Sequence, residues 1–327
     1  MVPKDRRTIG CYGHQAQVMD FLSFCAAHGV LLSSIPDHGR WHRVPTDDKP
    51  RSRNGAVKFL GDIGFVQNHA TMETVAVWRP EKEYVAPKID GAVIARKRAA
   101  ERQALIQATQ SARKFYLNCV PLKGGHPYLT AHELSMAGCF GLKLDRDGWL
   151  VIPVLRNGLI SVQRISPEGE KKFWYGASVK GGSYTIERPG ASLTVLVEGF
   201  ATGAAIFAAV PLSRIVVCFN AGNLSKVSIP IQGMAVVAAD NDYQTEGRLG
   251  RNPGLEAAQA VAEALGCGVA APTGINGTDW ADFRQETVAA RLADRGKQRE
   301  GDIRRAVDAE IAAGMMRNAR FLRAGAA

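Results

Sequence analysis

The chain has 327 residues, enough for more than one domain. Hydrophobic residues make up 46% and charged residues 22%, a balance that excludes a disordered chain. Lys and Arg number 41 against 31 Asp and Glu, and the resulting charge of +10 points to a polyanion as partner. No apolar run approaches the roughly 18 residues that span a bilayer, so no membrane partner is expected. The opening MVPKDRR has no apolar stretch behind its charges, so no secretory signal is expected either. Cys11, Cys25, Cys119, Cys139, Cys218 and Cys267 form no CxxC pair and read as reduced thiols of a cytoplasmic protein.

The charge is unevenly spread. Residues 1–189 hold 27 bases and 17 acids, residues 190–283 hold 4 bases and 8 acids, and residues 284–327 hold 10 bases and 6 acids. Basic flanks suit a polyanion and an acidic middle suits a cation; chance surface charge is the competing reading.

In chain order, VMDFLSFCAAHG has apolar residues at helical spacing and a glycine to end it. Residues 36–64 are rich in Gly, Pro, Asp and Asn, which predicts loops and short strands, and 65–79 predicts further β structure. A polar helix follows over 92–116, carrying Arg96, Lys97, Arg98, Arg102, Arg113 and Lys114. HPYLTAHELSMAG predicts a short helix, and DGWLVIPVL, GLISVQRIS and EGEKKFWYG predict antiparallel strands joined by Gly and Asp turns. From Ser192 the pattern changes. LTVLVEG, RIVVCF, GMAVVAAD and GCGVAAP are apolar throughout and alternate with helical stretches, among them Pro253–Leu265 with proline at a helix start. Such strands form a parallel sheet covered on both faces.

Two of those strands end in carboxylates, Glu198 in one and Asp240 with Asp242 in another. Functional residues of open α/β sheets gather outside the carboxyl ends of strands. Burying several acids there is costly unless a cation neutralises them. Oxygen ligands without His or Cys suit Mg²⁺ or Mn²⁺. On an extended strand both aspartates of DND point the same way, a cluster suited to phosphoryl transfer. The competing reading has Asp240 and Asp242 capping a helix or filling a turn.

LVEGFATG, then VVAADND, then a loop and helix, resemble the Toprim domain in the form found in primases of plasmids and phages. The resemblance implies a metal-binding catalytic centre of Glu198, Asp240 and Asp242, with Gly199 supplying a tight turn. GTDWADF resembles a further motif of that branch and implies that Asp279 and Asp282 stand near the same sheet edge as additional candidate ligands. HPYLTAHEL, the two strands after it and GEKKFWYGA resemble the basic subdomain that precedes Toprim in bacterial-type primases, which implies Arg156, Arg164, Lys171 and Lys172 as contacts to template and nucleotide. FLSFCAAHG with GRWHRVPTDDKPRSRNGAVKF resembles the N-terminal module of plasmid-type primases. The resemblance covers most of residues 20–285 and is strongest at 190–285.

The implied architecture is α/β: an N-terminal α+β module (1–85), a basic helical linker (86–118), a basic strand-rich α+β subdomain (119–190), a Toprim domain with a parallel sheet flanked by helices (191–283), and a basic helical tail (284–327). The implied activity is metal-dependent synthesis of short RNA primers from nucleoside triphosphates on single-stranded DNA in a bacterial host, with any helicase on a separate chain. Two departures bear on it. Bacterial replicative primases carry another acid a few residues after the EG, where this chain has Phe200, Ala201 and Thr202. They also begin with a Cys/His zinc ribbon, for which no CxxC exists here. Metal-dependent DNA nicking, or single-strand binding by a vestigial Toprim fold, are the alternatives.

GASVKGGS resembles a Walker A loop but has Gly182 where the lysine belongs, so no NTPase motor is expected. Cys11 with His14, and Cys25 with His28, form two Cys-x2-His pairs. Their spacing matches no recognised zinc site, and Cys25 and His28 fall on an apolar helix, so zinc is not expected. Arg40, Arg43, Lys49, Arg51 and Arg53 surround Trp41. Guanidinium groups pair with phosphates and an indole stacks on an unpaired base, which favours single-strand binding there over a merely solvated loop.

Overall fold

The computed structural model describes residues 20–35, 39–61, 63–80, 91–134, 137, 139–228, 231 and 233–321. The chain divides into two compact units, residues 1–94 and 95–327.

In the first unit, helix α1 (20–27) accompanies four antiparallel strands: β1 (His42–Val44), β2 (Gly55–Phe59), β3 (Gly64–Asn68) and β4 (Ala76–Trp78). Phe21, Cys25, Val57, Phe59, Val66 and Trp78 form its core. Gly64 is required there, because a Cβ would lie 2.1 Å from the Phe21 ring. Cys25 is fully buried in this core, and burial pushes its thiol up to about 12. His28 bonds through Nδ1 to the Phe24 carbonyl of its own helix. Cys11 and His14 lie outside the described residues.

Helix α2 (Gly91–Asn118) is exposed along most of its length, Arg96, Lys97, Arg98 and Arg102 included. Its C-terminal turns belong to the second unit, where Phe115 stacks on Trp174 and Arg113 donates to the Leu159 carbonyl. An antiparallel sheet follows in the order β5 (Val120–Pro121), β6 (Lys143–Leu144), β7 (Leu150–Leu155), β8 (Leu159–Ile165) and β9 (Lys171–Phe173), with the short helix α3 (Pro127–Ala131) between β5 and β6. Helix α3 is shorter than the sequence pattern suggests, with buried His126 as its N-cap and His132 ending it.

The largest sheet contains β10 (Tyr184–Glu187), β11 (Leu193–Val197), β12 (Ser213–Val217), β13 (Met234–Ala238) and β14 (Gly268–Ala270) in the order β10-β12-β11-β13-β14. Strands β12, β11, β13 and β14 run parallel; β10 is an antiparallel edge, and β15 (Arg320–Phe321) pairs antiparallel with the start of β13. Alternation along the strands divides the core. Val195, Val197, Ile215, Val217 and Val236 face α4 (Phe200–Ala209), α8 (Trp280–Ala293) and α9 (Glu300–Asn318). Leu196, Val216 and Val237 face α5 (Ala221–Leu224) and α7 (Pro253–Leu265). Helix α6 (Tyr243–Leu249) precedes α7. Helix α4 is buried nearly all round, which explains its small residues: a Cβ on Gly203 would meet Ile215 at 2.9 Å.

Two placements differ from the sequence reading. The strand 184–187 belongs to the parallel sheet, not to the strand-rich subdomain before it. Helices α8 and α9, read as the start of a tail, form a layer over α4, with Val307, Ile311 and Met315 fully buried. Ile311→Ala should therefore cost about 2–4 kcal/mol in denaturant unfolding, whereas an independent arm would show a change within about 0.5 kcal/mol.

Candidate metal centre

The four parallel strands deliver their carboxyl ends to one edge of the sheet. Glu198 follows β11 directly, and Asp240 comes two residues after β13. Residues 195–197 leading to Glu198 and 235–239 leading to Asp240 are buried and apolar, so the acids are the first ionisable groups past them. Asp240 and Asp242 stand in the loop beyond β13, not on extended strand as the DND spacing suggested. Asn241 fixes that loop: its backbone N–H donates to the Thr278 carbonyl at 2.7 Å and its side-chain amide to the Pro272 carbonyl at 2.8 Å. Asp242 occupies the N-cap place of α6 but makes no capping bond with its side chain, which leaves its carboxylate for another use.

The acids oppose one another. Burial pushes Asp240 up to about 8, and the charges of Glu198 and Asp279 push the same way; a bond from the Thr202 hydroxyl (3.5 Å) and the charge of Lys171 oppose them. Glu198 is also raised, first by burial and then by Asp242, against a bond from the Ala221 backbone N–H. Glu198 Oε1 is fully buried and has no hydrogen-bond partner. An orphaned carboxylate oxygen beside an acid raised by burial and by neighbouring charges is the environment a cation relieves. The donors are all oxygens, which fits a hard divalent ion. Among the described residues, no three His, Cys, Asp or Glu side chains already converge at ligand spacing. The acids make a charged pocket, not a finished cage.

Thr202 stands where the sequence pattern lacks an acid, and it supplies a hydroxyl to Asp240 instead. Gly199 does not make the expected tight turn. Its φ is −105°, open to any residue, and a Cβ there would meet only Thr202 Oγ1 at 3.6 Å. The crowded glycine is Gly254 in the first turn of α7, where a Cβ would lie 3.0 Å from the Asp240 carbonyl and 3.3 Å from Glu198 Oε1. Asp279 and Asp282 form a capping box at the start of α8, so their oxygens serve backbone N–H groups of that turn. Asp279 still adds its charge to Asp240.

Sequence reasoning missed Asn252. Buried, it caps α7, accepts from the Asp242 backbone N–H and donates to Asn241 Oδ1 at 3.0 Å. The signal was present, since an Asn directly before Pro253 is a helix start. Asn223 was missed too. Its amide and carbonyl hold Gly181, Val179, Gly182 and Cys218 of the GASVKGGS loop and the end of β12, which gives that loop a structural role.

The basic residues sort into different roles. Lys171 lies with its ammonium 5.9 Å from the Tyr128 ring centroid, and its charge reaches Asp240. Arg164 is committed internally: it bonds buried Asp145 at 2.7 Å and stacks on Trp149 and Phe115, so it departs from the expected contact role. Lys172 pairs with Glu170 and lies over Trp149 on the opposite face of β9. Arg156 is exposed and donates to the Lys180 carbonyl. In the first unit, Arg40, Trp41, Arg43, Lys49, Arg51 and Arg53 are all exposed, Trp41 by 50%. Among the described residues no helix is long and apolar enough to cross a membrane.

A group whose pKa rises on folding stabilises the fold below its unfolded value and loses that contribution as pH passes its folded value. For Asp240 that window runs from 3.8 to about 8. Metal-free Asp240→Asn should therefore melt several degrees above the parent at about pH 8, with the gap closing toward about pH 4. Thermal melts across that range check this; parallel curves would contradict it.

Comparison with known proteins supports the same reading of the sheet. Residues 193–290 match the Toprim domain family. Two proteins named DNA primase TraC, both from Escherichia coli, are each 26% identical, over 254 residues (70% of this chain, 17% of that protein) and 276 residues (76% and 25%). The chain thus spans between 17% and 25% of the length of these curated relatives. The crystal structure of the primase fragment of the bacteriophage T7 primase-helicase protein aligns with 54% of this chain and 78% of its own, at 14% identity and a TM-score of 0.37. The apolar parallel strands, their acid-bearing ends and the family match agree: this chain carries a Toprim domain over residues 193–290 and is related in sequence to DNA primases.

Proposed function

We propose that this chain synthesises short RNA primers on single-stranded DNA by divalent-metal-dependent nucleotidyl transfer, in the replication of a plasmid, phage or other mobile element. The observation that carries the reading is the gathering of Glu198, Asp240 and Asp242 at the carboxyl edge of a Toprim sheet, where Glu198 and Asp240 are each raised by burial and by a neighbouring acid's charge. Relationship to the TraC primases supports it.

Glu198, Asp240 and Asp242 would hold the ion, and Mg²⁺ or Mn²⁺ is the choice their oxygen donors favour. Bound there, a divalent ion supplies charge neutralisation for a transferring phosphoryl group and lowers the pKa of an attacking hydroxyl. The chain's own residues do the rest. Thr202 orients the Asp240 carboxyl, Asn241 and Asn252 hold the DND loop in place, and Lys171 brings positive charge to meet a triphosphate. The pocket sits outside apolar strand ends, where low dielectric strengthens each of these contacts. The exposed Arg40, Trp41, Arg43 and Arg53 would grip single-stranded template. A helicase, where one is required, would be a separate partner, and the reaction would take place in the cytoplasm of a bacterial host.

Primer synthesis on a single-stranded template with labelled nucleoside triphosphates tests the proposal. The protein should make short RNA products only with Mg²⁺ or Mn²⁺, and Asp240→Ala with Asp242→Ala should lower the yield by at least about a hundredfold. Undiminished synthesis by the double variant would contradict the assignment. Nicking of supercoiled plasmid without primers would favour the nuclease reading, and strand binding with neither activity would favour a vestigial fold.

A further inference from the structure

Along the carboxyl edge of the sheet, the ends of β12, β11 and β13 lie side by side. Acids follow β11 and β13, but an aromatic follows β12. Phe219 holds a φ of 71°, in the left-handed region that bulky side chains enter at a cost of roughly 1–3 kcal/mol. Such strain persists where the surroundings impose it, and it gathers at functional edges. The Phe219 ring is buried and meets the Phe173 ring edge-on, with centroids 5.9 Å apart and planes at 81°.

Phe173 belongs to β9 of the antiparallel sheet, and its ring reaches Phe219, just past the end of β12. Lys171 and Phe173 are two residues apart, so they share one face of β9, while Lys172 on the other face is engaged with Glu170 and Trp149. Two strand residues span about 7 Å. Over that length the face changes from a cation whose charge reaches Asp240 to an apolar ring set against Phe219, just past the end of β12. Phe173 is held by its edge-on contact with Phe219, yet the residue remains 39% exposed. Charge complementarity names the occupant. Acids with their cation, together with Lys171, suit a polyphosphate, and a flat apolar ring beside them suits the base joined to it.

We propose that Phe173, seated on Phe219, is a stacking platform for the base of the nucleoside triphosphate whose phosphates face Lys171 and the acids. The proposal rests on the polymerase reading above and names a residue that sets nucleotide affinity in it. Aromatic stacking contributes about 1–3 kcal/mol per base, or about 5- to 150-fold in affinity, and tolerates all four bases.

Equilibrium binding of ATP, GTP and inorganic tripolyphosphate in the presence of Mg²⁺ tests it without requiring turnover. Phe173→Ala should weaken ATP and GTP at least about fivefold and leave tripolyphosphate unchanged, and Phe173→Trp should restore nucleotide affinity. An equal loss for tripolyphosphate would mean that the substitution disturbs the fold or the phosphate site, and would overturn the platform. So would unchanged ATP affinity in Phe173→Ala, including the case where only single-stranded DNA binding falls. If the unmodified protein binds none of the three ligands, the polymerase reading itself fails and the platform with it.

Discussion

The structure turns on two half-buried carboxyl groups brought together at one edge of a sheet, where burial and neighbouring charge disfavour their ionised forms. Glu198 and Asp240 stand at the ends of neighbouring apolar strands, each raised by burial and by another acid's charge. Such an arrangement opposes folding in the metal-free state, because the unfolded chain would solvate both groups. The remainder of the second unit supports that edge. Gly254 leaves room for Glu198 beneath α7, Asn252 joins the α7 cap to the DND loop, and Thr202 gives Asp240 its hydroxyl partner. Helices α8 and α9 complete the layer over α4, and the start of α8 brings Asp279 to the same place.

The formal charge of +10 acquires a spatial meaning from this arrangement. The basic strand-rich sheet and the acidic parallel sheet meet where β7 packs against β10, and Lys171 on β9 adds its charge near Asp240. Basic residues nearby in sequence do different work: Arg164 holds Asp145 and two aromatic rings inside the antiparallel sheet. Net charge thus pointed to the class of partner, and only the contacts separate cations that hold the fold from cations free to meet phosphate.

The parallel sheet was legible because its strands are continuously apolar, and Glu198, Asp240 and Asp242 because acids at the ends of such strands are conspicuous. What escaped sequence reading depends on contacts between distant positions. The strand 184–187 is short and follows other antiparallel strands, and only its pairing with β12 assigns it to the second sheet. Helix α9 looks solvated by composition, and its buried stripe of Val307, Ile311 and Met315 matters only because α4 lies beneath it. Gly199 resembled the turn glycine, whereas the crowding falls on Gly254, more than fifty residues later. Thr202 read as a missing acid until its hydroxyl was found against Asp240. Cys25 drew attention as half of a Cys-x2-His pair, but helical spacing sends it into the core.

On the proposed reading, Asp240, raised by burial and by neighbouring acids, gives up a proton when a divalent ion binds. Calorimetric titration of Mn²⁺ near pH 7, in buffers of differing ionisation enthalpy, counts protons released per ion bound. About one proton should be released by the unmodified protein and close to none by Asp240→Asn, which should also bind the ion more weakly. Tight binding without proton release, or the same release in both proteins, would contradict the account.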